Sequence, residues 1–227
     1  MFNPPQSART LRVLAALLSY PSGEMRAHLE EMDVLLHAEA ALSPGRLGEL
    51  RALIGALRSA DDIDAEADYV QLFDRGRTTS LHLFEHVHGD SRERGPAMIA
   101  LGQMYAQAGL LLDQGELPDY LPAVLEFAST MPAREARSFV GEFAHILNVL
   151  FNALEQRGSA YASVLGALLE LAGESAQAIR IAADEPLDES WAEPAAFDGC
   201  ATKDQTRPGE PQPITIVRKR VSTGVSA

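Results

Sequence analysis

Three of the six histidines in this 227-residue sequence lie close together, with apolar side chains between them. His82, His86 and His88 fall in one short segment with Phe84 and Glu85. Imidazole groups bind metals, exchange protons near neutral pH and form hydrogen bonds. The segment therefore predicts either a metal or catalytic site, or the wall of a groove that binds another polypeptide. We favour the groove.

The metal alternative has a specific form, because His82, Glu85 and His86 match the inverted zinc-peptidase motif H-x-x-E-H. On a helix, histidines four residues apart share a face, and Glu85 could polarise a metal-bound water. However, Gly89 interrupts the segment soon afterwards, and no third ligand can be assigned. We predict no metal and no cofactor, with histidines that bond to carbonyls and carboxylates at a helix end. A zinc-dependent hydrolase is the alternative.

Other kinds of catalytic or ligand site have weaker support. Arg92 and Arg94 follow Asp90 at the start of a predicted helix and could hold an anion, but such arginines more often pair with nearby carboxylates. The sequence has no Gly-x-Ser-x-Gly motif, and its single cysteine, Cys200, lies far from the histidines. We therefore predict that the protein is not an enzyme.

A second dense region lies at residues 116–127. Pro118 fixes the entry to a predicted helix, and Asp119 is placed to cap its N-terminus. Glu116 precedes this turn and Tyr120 follows it, and the apolar side chains after them are spaced to point inward. Taken alone, this region is typical of an ordinary capped amphipathic helix.

The elements that must position these residues are helices, because apolar side chains recur at helical spacing up to about residue 184 and no run alternates as in a strand. We predict one all-α domain over residues 1–185 with about eight helices. The prolines and missing periodicity of residues 186–227 predict a flexible, disordered tail. Besides the histidine segment, the predicted helices cover residues 7–20, 22–36, 43–57, 61–73, 95–112, 117–127, 132–154 and 160–183. Ser7, Ser22 and Ser43 are predicted to cap the first three, with Pro44 as the first helical residue of the third, and Asp61 begins the fourth.

Charge and composition exclude several classes of protein. A net charge of −13, with most of the acidic excess before residue 186, argues against a nucleic-acid partner and favours a basic one. No apolar run is long enough to span a bilayer, and the N-terminus does not match a secretory signal. One cysteine is typical of a reducing compartment. We expect a cytoplasmic protein that does not insert into the membrane.

Three blocks together carry a resemblance to a known family: residues 69–73 (YVQLF), 80–95 (SLHLFEHVHGDSRERG) and 116–127 (ELPDYLPAVLEF). They resemble the NarJ family of nitrate reductase assembly chaperones, within the wider TorD/DmsD/NarJ group of redox-enzyme maturation proteins. The similarity extends over roughly residues 8–185. The middle block is the most specific to the NarJ branch.

The resemblance implies an all-helical chaperone without catalytic activity. It would bind the N-terminal leader of the catalytic (alpha) subunit of respiratory nitrate reductase and hold that subunit competent for molybdenum-cofactor insertion before membrane docking. Contact with molybdenum-cofactor delivery proteins is left open, and a helical adaptor for an unrelated partner is a further alternative. The partner-binding residues that the resemblance implies are Tyr69, Phe73, His82, Phe84, Glu85, His86, His88, Asp90, Arg92, Arg94, Glu116, Pro118, Asp119 and Tyr120.

Overall fold

The computed structural model describes residues 7–89, 91–113 and 115–179, and within these ranges the protein is all-α, as predicted, with no strand. The predicted tail at 186–227 lies outside the described residues. The α-helices are α1 (Ala8–Leu18), α2 (Gly23–Ala27), α3 (Leu29–Glu39), α4 (Pro44–Ser59), α5 (Asp62–Tyr69), α6 (Leu83–His88), α7 (Arg94–Gln107), α8 (Leu121–Ser129), α9 (Ala133–Glu142), α10 (Ala144–Gln156) and α11 (Ala162–Ala172).

Local start signals place several of these helices where the sequence predicts them. The Ser43 hydroxyl accepts a hydrogen bond from the Arg46 amide, and Pro44 is the first residue of α4. The Ser22 hydroxyl accepts from the Met25 amide at the start of α2, and the Asp61 carboxylate accepts from the Ile63 amide at the start of α5.

The start of α1 is different, because its predicted cap, Ser7, forms no side-chain capping bond. The carboxylate of Glu39, at the end of α3, accepts hydrogen bonds from the Arg9 and Thr10 amides at 3.2 and 2.6 Å. Free N–H groups at a helix start need such acceptors, and a negative charge there is favourable. A residue about thirty positions away therefore caps α1.

The described residues contain eleven α-helices against about eight expected, because two predicted helices are interrupted and the histidine segment forms its own. The chain bends at His28 between α2 and α3 and at Phe143 between α9 and α10. The C-terminal ends of two helices were also predicted too far along the sequence. Helix α7 ends at Gln107 and α11 at Ala172, each shortly before a glycine with positive φ.

The hydrophobic core lies where α1 packs along α8 and where α11 contacts α10, α9, α4 and α1. Helix α11 is buried almost all round, with Val164, Leu165 and Leu168 inaccessible to solvent, as are Leu14 and Leu17 of α1. Each such side chain stabilises the fold by about 1.5–3 kcal/mol through burial. None of the helices within the described ranges combines the length and apolarity needed to cross a bilayer.

One backbone pairing joins the histidine segment to the second dense region. The Leu83 amide donates to the Asp119 carbonyl at 3.0 Å, and the Leu121 amide donates to the Leu81 carbonyl at 2.8 Å. These bonds form an isolated antiparallel bridge between His82 and Tyr120. The two segments are thereby held side by side at the starts of α6 and α8.

Candidate functional site

Residues from all three sequence blocks meet at one cavity of about 550 Å3, which we call the aromatic cavity. Five of the residues predicted to bind a partner line it, namely Tyr69, Phe73, His82, Glu116 and Tyr120. The other lining residues are Tyr20, Asp74, Leu81, Asp113, Gly115 and Leu117.

The floor of the aromatic cavity is a set of packed rings. Tyr69 and Phe73 are buried with ring centroids 4.8 Å apart. The Tyr69 hydroxyl donates to the Leu18 carbonyl at 2.7 Å and lies 3.2 Å from the Tyr120 hydroxyl. Burial raises the pKa of Tyr69 well above its ordinary value, so this tyrosine stays neutral at physiological pH. The floor therefore offers an uncharged, preformed apolar surface.

A π-helical turn at the end of α5 positions Phe73 in this floor. Helix α5 continues into a π-helix over Val70–Asp74, and the Arg75 amide donates to the Val70 carbonyl at 3.2 Å. Such widened turns are rare and occur frequently at functional sites. Here the turn buries Phe73 and leaves the Asp74 carboxylate exposed at the cavity edge. The sequence predicted a single helix through Phe73 and gave no indication of this turn.

His82 is held in the cavity wall by a buried carboxylate. Its Nδ1 atom lies 3.4 Å from Asp119 Oδ1, and the Asp119 side chain is 0% exposed. The nearby Asp119 carboxylate raises the pKa of His82, although the geometry of the Nδ1–Oδ1 contact falls short of a hydrogen bond; burial opposes this effect, and the charge of Glu85 adds to it. The guanidinium of Arg94, 3.9 Å from Asp119 Oδ2, lowers the pKa of His82 by a smaller amount.

Asp119 was predicted to cap the helix that follows it, and this prediction was wrong. Helix α8 begins two residues later, and the Asp119 carboxylate accepts instead from the Phe84 amide of α6 at 3.0 Å. The preceding carbonyl, of Pro118, accepts from the Tyr105 hydroxyl at 2.8 Å. Asp119 and Pro118 therefore do not line the aromatic cavity. They stabilise the segments that carry its lining residues.

The remaining histidines of the segment do not line the aromatic cavity either. His86 Nε2 donates to the Ser80 carbonyl at 2.8 Å, which matches the predicted role of histidines at a helix end. The ring of His88 packs edge-on against Phe84, with centroids 5.6 Å apart. Glu85 accepts from the Ser80 hydroxyl at 2.6 Å and from Arg94 at 3.3 Å.

These contacts are inconsistent with a zinc site built on the H-x-x-E-H motif. His82 precedes α6 with extended backbone angles (φ −87°, ψ 104°), so it does not share a helical face with His86. Glu85 and His86 already have other partners. Across 7–89, 91–113 and 115–179, no three His, Cys, Asp or Glu side chains form a group that could hold a metal ion.

Arg92 and Arg94 have different surroundings in the structure. Arg94 forms an ion pair with Glu85, as in the alternative considered for these arginines, whereas Arg92 is exposed. Asp90 lies outside the described residues.

The mouth of the aromatic cavity is acidic. Asp74, Asp113 and Glu116 lie there. Partial burial raises the pKa of Glu116, and the nearby carboxylates of Glu126 and Asp113 raise it further. Tyr20, Asp74 and Asp113 are not among the residues predicted from the sequence, since each resembles an ordinary helix-end or loop residue until the chain is folded.

Comparison with known proteins shows the family of this sequence. Residues 39–166 match the family described as nitrate reductase delta subunit. The chain belongs to this family. The matched range contains all the residues that line the aromatic cavity except Tyr20.

Individual members of the family agree with this assignment and confirm the resemblance. The chain is 40% identical over 200 residues to the nitrate reductase molybdenum cofactor assembly chaperone NarJ of Escherichia coli K12, covering 87% of this chain and 84% of that protein. It is 40% identical over 165 residues to the probable chaperone NarW of the same strain, covering 73% and 68%. A probable NarJ of Bacillus subtilis 168 is 34% identical over 163 residues, covering 70% and 86%.

Proposed function

We propose that this family member is an assembly chaperone for respiratory nitrate reductase. It binds the N-terminal segment of the apo catalytic subunit and holds that subunit competent for molybdenum-cofactor insertion before the enzyme docks at the membrane. The chain carries out no chemical step in this proposal. Its relatives are named as assembly chaperones, which supports the proposal independently of the cavity.

The observation that carries the proposal is the convergence of three distant sequence blocks on the aromatic cavity. Its floor is formed by buried aromatic rings, and its mouth carries the carboxylates of Asp74, Asp113 and Glu116. An amphipathic segment with apolar anchors and basic side chains is complementary to such a surface. The net charge of −13 favours encounter with the same kind of ligand.

The expected affinity follows from a few anchors. Three or four apolar side chains contribute about 1.5–3 kcal/mol each on burial. Ordering a flexible segment costs about 2–5 kcal/mol. The balance reaches the roughly 8 kcal/mol of micromolar binding only when every anchor is fully buried, and attraction between a basic segment and the acidic mouth adds to it. Binding of at most this strength suits a chaperone that must release its client.

The proposal is tested by calorimetry of the full chain with a synthetic peptide of the cognate catalytic subunit's N-terminus. Leu117 lies at the cavity mouth with 42% of its surface exposed, so Leu117→Ser should weaken binding about fivefold without unfolding the domain. Ile63→Ser is the matched control, because Ile63 is also exposed but lies outside the cavity. Equal affinities for the two variants would argue against the aromatic cavity as the binding site.

A co-purification experiment separates the proposal from the general-adaptor alternative. A tagged chain should retain the apo catalytic subunit from cell extract and lose it when the N-terminal segment of that subunit is deleted. Retention of other proteins without any molybdoenzyme subunit would favour an adaptor for an unrelated partner.

A further inference from the structure

A second cavity, of about 300 Å3, lies beside the aromatic cavity. Tyr105, Leu110, Leu112 and Phe127 contribute to its lining, but most of its accessible surface is polar. Two residues, Asp113 and Glu116, line both cavities. The two spaces are therefore neighbours on either side of one short stretch of chain between α7 and α8.

The partition between the cavities is negatively charged. We call Asp113, Glu116 and Glu126 the acidic wall; Glu126 lines the second cavity only. Within the described parts of the chain, none of these three carboxylates takes part in an ion pair. Elsewhere acidic side chains do pair, as Glu85 does with Arg94 and as Asp33 does with Arg51. Partial burial raises the pKa of Glu116, and the charges of Glu126 and Asp113 raise it further.

Apolar side chains stand exposed at both cavities. Leu111, at the second cavity, is 92% exposed, and Leu117, at the aromatic cavity, is 42% exposed. Gly109 precedes Leu111 and Gly115 precedes Leu117 by two residues each, and their φ angles of +78° and +99° suit glycine. Exposed leucines beside unpaired carboxylates are complementary to an amphipathic, basic segment.

We propose that one amphipathic, basic segment occupies both cavities, with an apolar side chain in the aromatic cavity and an arginine or lysine on the acidic wall beside the second cavity. The occupant is the N-terminal segment of the catalytic subunit, so the inference rests on the proposed function and extends it. Charge complementarity selects this occupant, since three unpaired carboxylates attract a basic segment and repel an acidic one. Shared lining residues allow one continuous segment to reach both spaces.

Two variants test the second cavity without touching the aromatic one. Ala123 lines the second cavity, and Ala123→Phe fills it. Glu126→Gln removes one charge of the wall from the side that faces only the second cavity. The matched controls are Ala56→Phe and Glu155→Gln, at exposed positions of α4 and α10. Circular dichroism and thermal melting establish that each variant is folded.

Binding of the catalytic subunit's N-terminal peptide is then measured by calorimetry at low and high salt. We expect Ala123→Phe to raise Kd about tenfold, which corresponds to about 1.4 kcal/mol. Glu126→Gln should raise Kd about threefold at low salt and leave it unchanged at about 1 M salt, where charges are screened within roughly 3 Å. Both controls should bind like the wild type.

Three results would overturn or limit the inference. If Leu117→Ser weakens binding while Ala123→Phe and Glu126→Gln both bind like the wild type, the second cavity is not a binding site and the proposed function stands. If Ala123→Phe does not fold, Glu126→Gln decides by its salt dependence, and a salt-independent Kd equal to wild type overturns the inference. If the wild type does not bind the peptide, the proposed function and this inference both fail.

Discussion

Asp119 caps a helix that lies 35 residues earlier in the chain, because its carboxylate accepts the hydrogen bond of the Phe84 amide. The same carboxylate is fully buried and lies 3.4 Å from the Nδ1 atom of His82. A single side chain thus fixes the start of α6 and the orientation of a histidine in the wall of the aromatic cavity. The effect of Asp119 on a partner is therefore indirect, through His82 and α6.

Replacing Asp119 should lower stability. In Asp119→Asn one side-chain oxygen can still accept from the Phe84 amide, but the charge that faces His82 and Arg94 is lost. Hydrogen bonds to charged groups contribute about 1.5–3 kcal/mol, which for a domain of this size corresponds to roughly 3–12 °C in melting temperature. Thermal melting of this variant beside Asp68→Asn, an exposed acid of α5, measures the effect. An unchanged melting temperature with weaker peptide binding would instead assign Asp119 to direct contact with the partner.

The stabilising effect of His82 should decrease as pH rises. Asp119 raises the pKa of His82 in the folded state above its ordinary value of 6.5. The stabilisation is fully present below the unfolded-state pKa and is lost as pH rises through the folded-state pKa. Urea unfolding of the wild type and His82→Gln from about pH 6 to about pH 9 should show converging stabilities. A constant difference across that range would mean that His82 does not titrate.

Peptide binding should also depend on the protonation of His82, but it should strengthen as pH rises. His82 lines the aromatic cavity, so its protonation places positive charge beside a basic ligand. Affinity should fall as pH is lowered from about 8 to about 6. His82→Gln should flatten this dependence, whereas His145→Gln, at an exposed position of α10, should leave it intact. Calorimetry at several pH values makes the measurement, and identical slopes for both variants would contradict it.

Glu116→Gln should separate binding from stability. Burial and the carboxylates of Glu126 and Asp113 raise the pKa of Glu116, so its charged form destabilises the folded state at neutral pH. The substitution should raise the melting temperature at pH 7 by no more than about 3 °C, because the side chain is largely exposed and solvent screens its charge. The gain should vanish once the pH falls below about 4, where the unfolded glutamate is also protonated. Binding of the basic peptide should weaken in the same variant, and a lowered melting temperature would contradict the assignment.

The protein should purify without stoichiometric zinc, because His82 precedes α6 and both Glu85 and His86 already have hydrogen-bond partners. Elemental analysis after purification without chelators makes the test. One zinc per chain that disappears in the His82→Ala and His86→Ala double variant would revive the hydrolase alternative.

Much of the fold follows from the sequence because local interactions specify helices. Ser22, Ser43 and Asp61 cap the helices that directly follow them, and Pro44 begins α4 as predicted. The inward spacing of Leu121, Leu125 and Phe127 was also correct. The three sequence blocks by themselves indicate the family, and comparison with known proteins confirms that resemblance.

The site itself required tertiary structure, because its geometry depends on groups that are distant in sequence. Periodicity cannot show that Glu39 caps α1 or that Asp119 caps α6, since each acceptor serves a helix other than its own. It also cannot show the π-turn that exposes Asp74 at the cavity edge. Sequence determined the helices, the charge and the family. Long-range hydrogen bonds and packing decided which side chains line the cavity, because only the folded chain brings those groups within bonding distance.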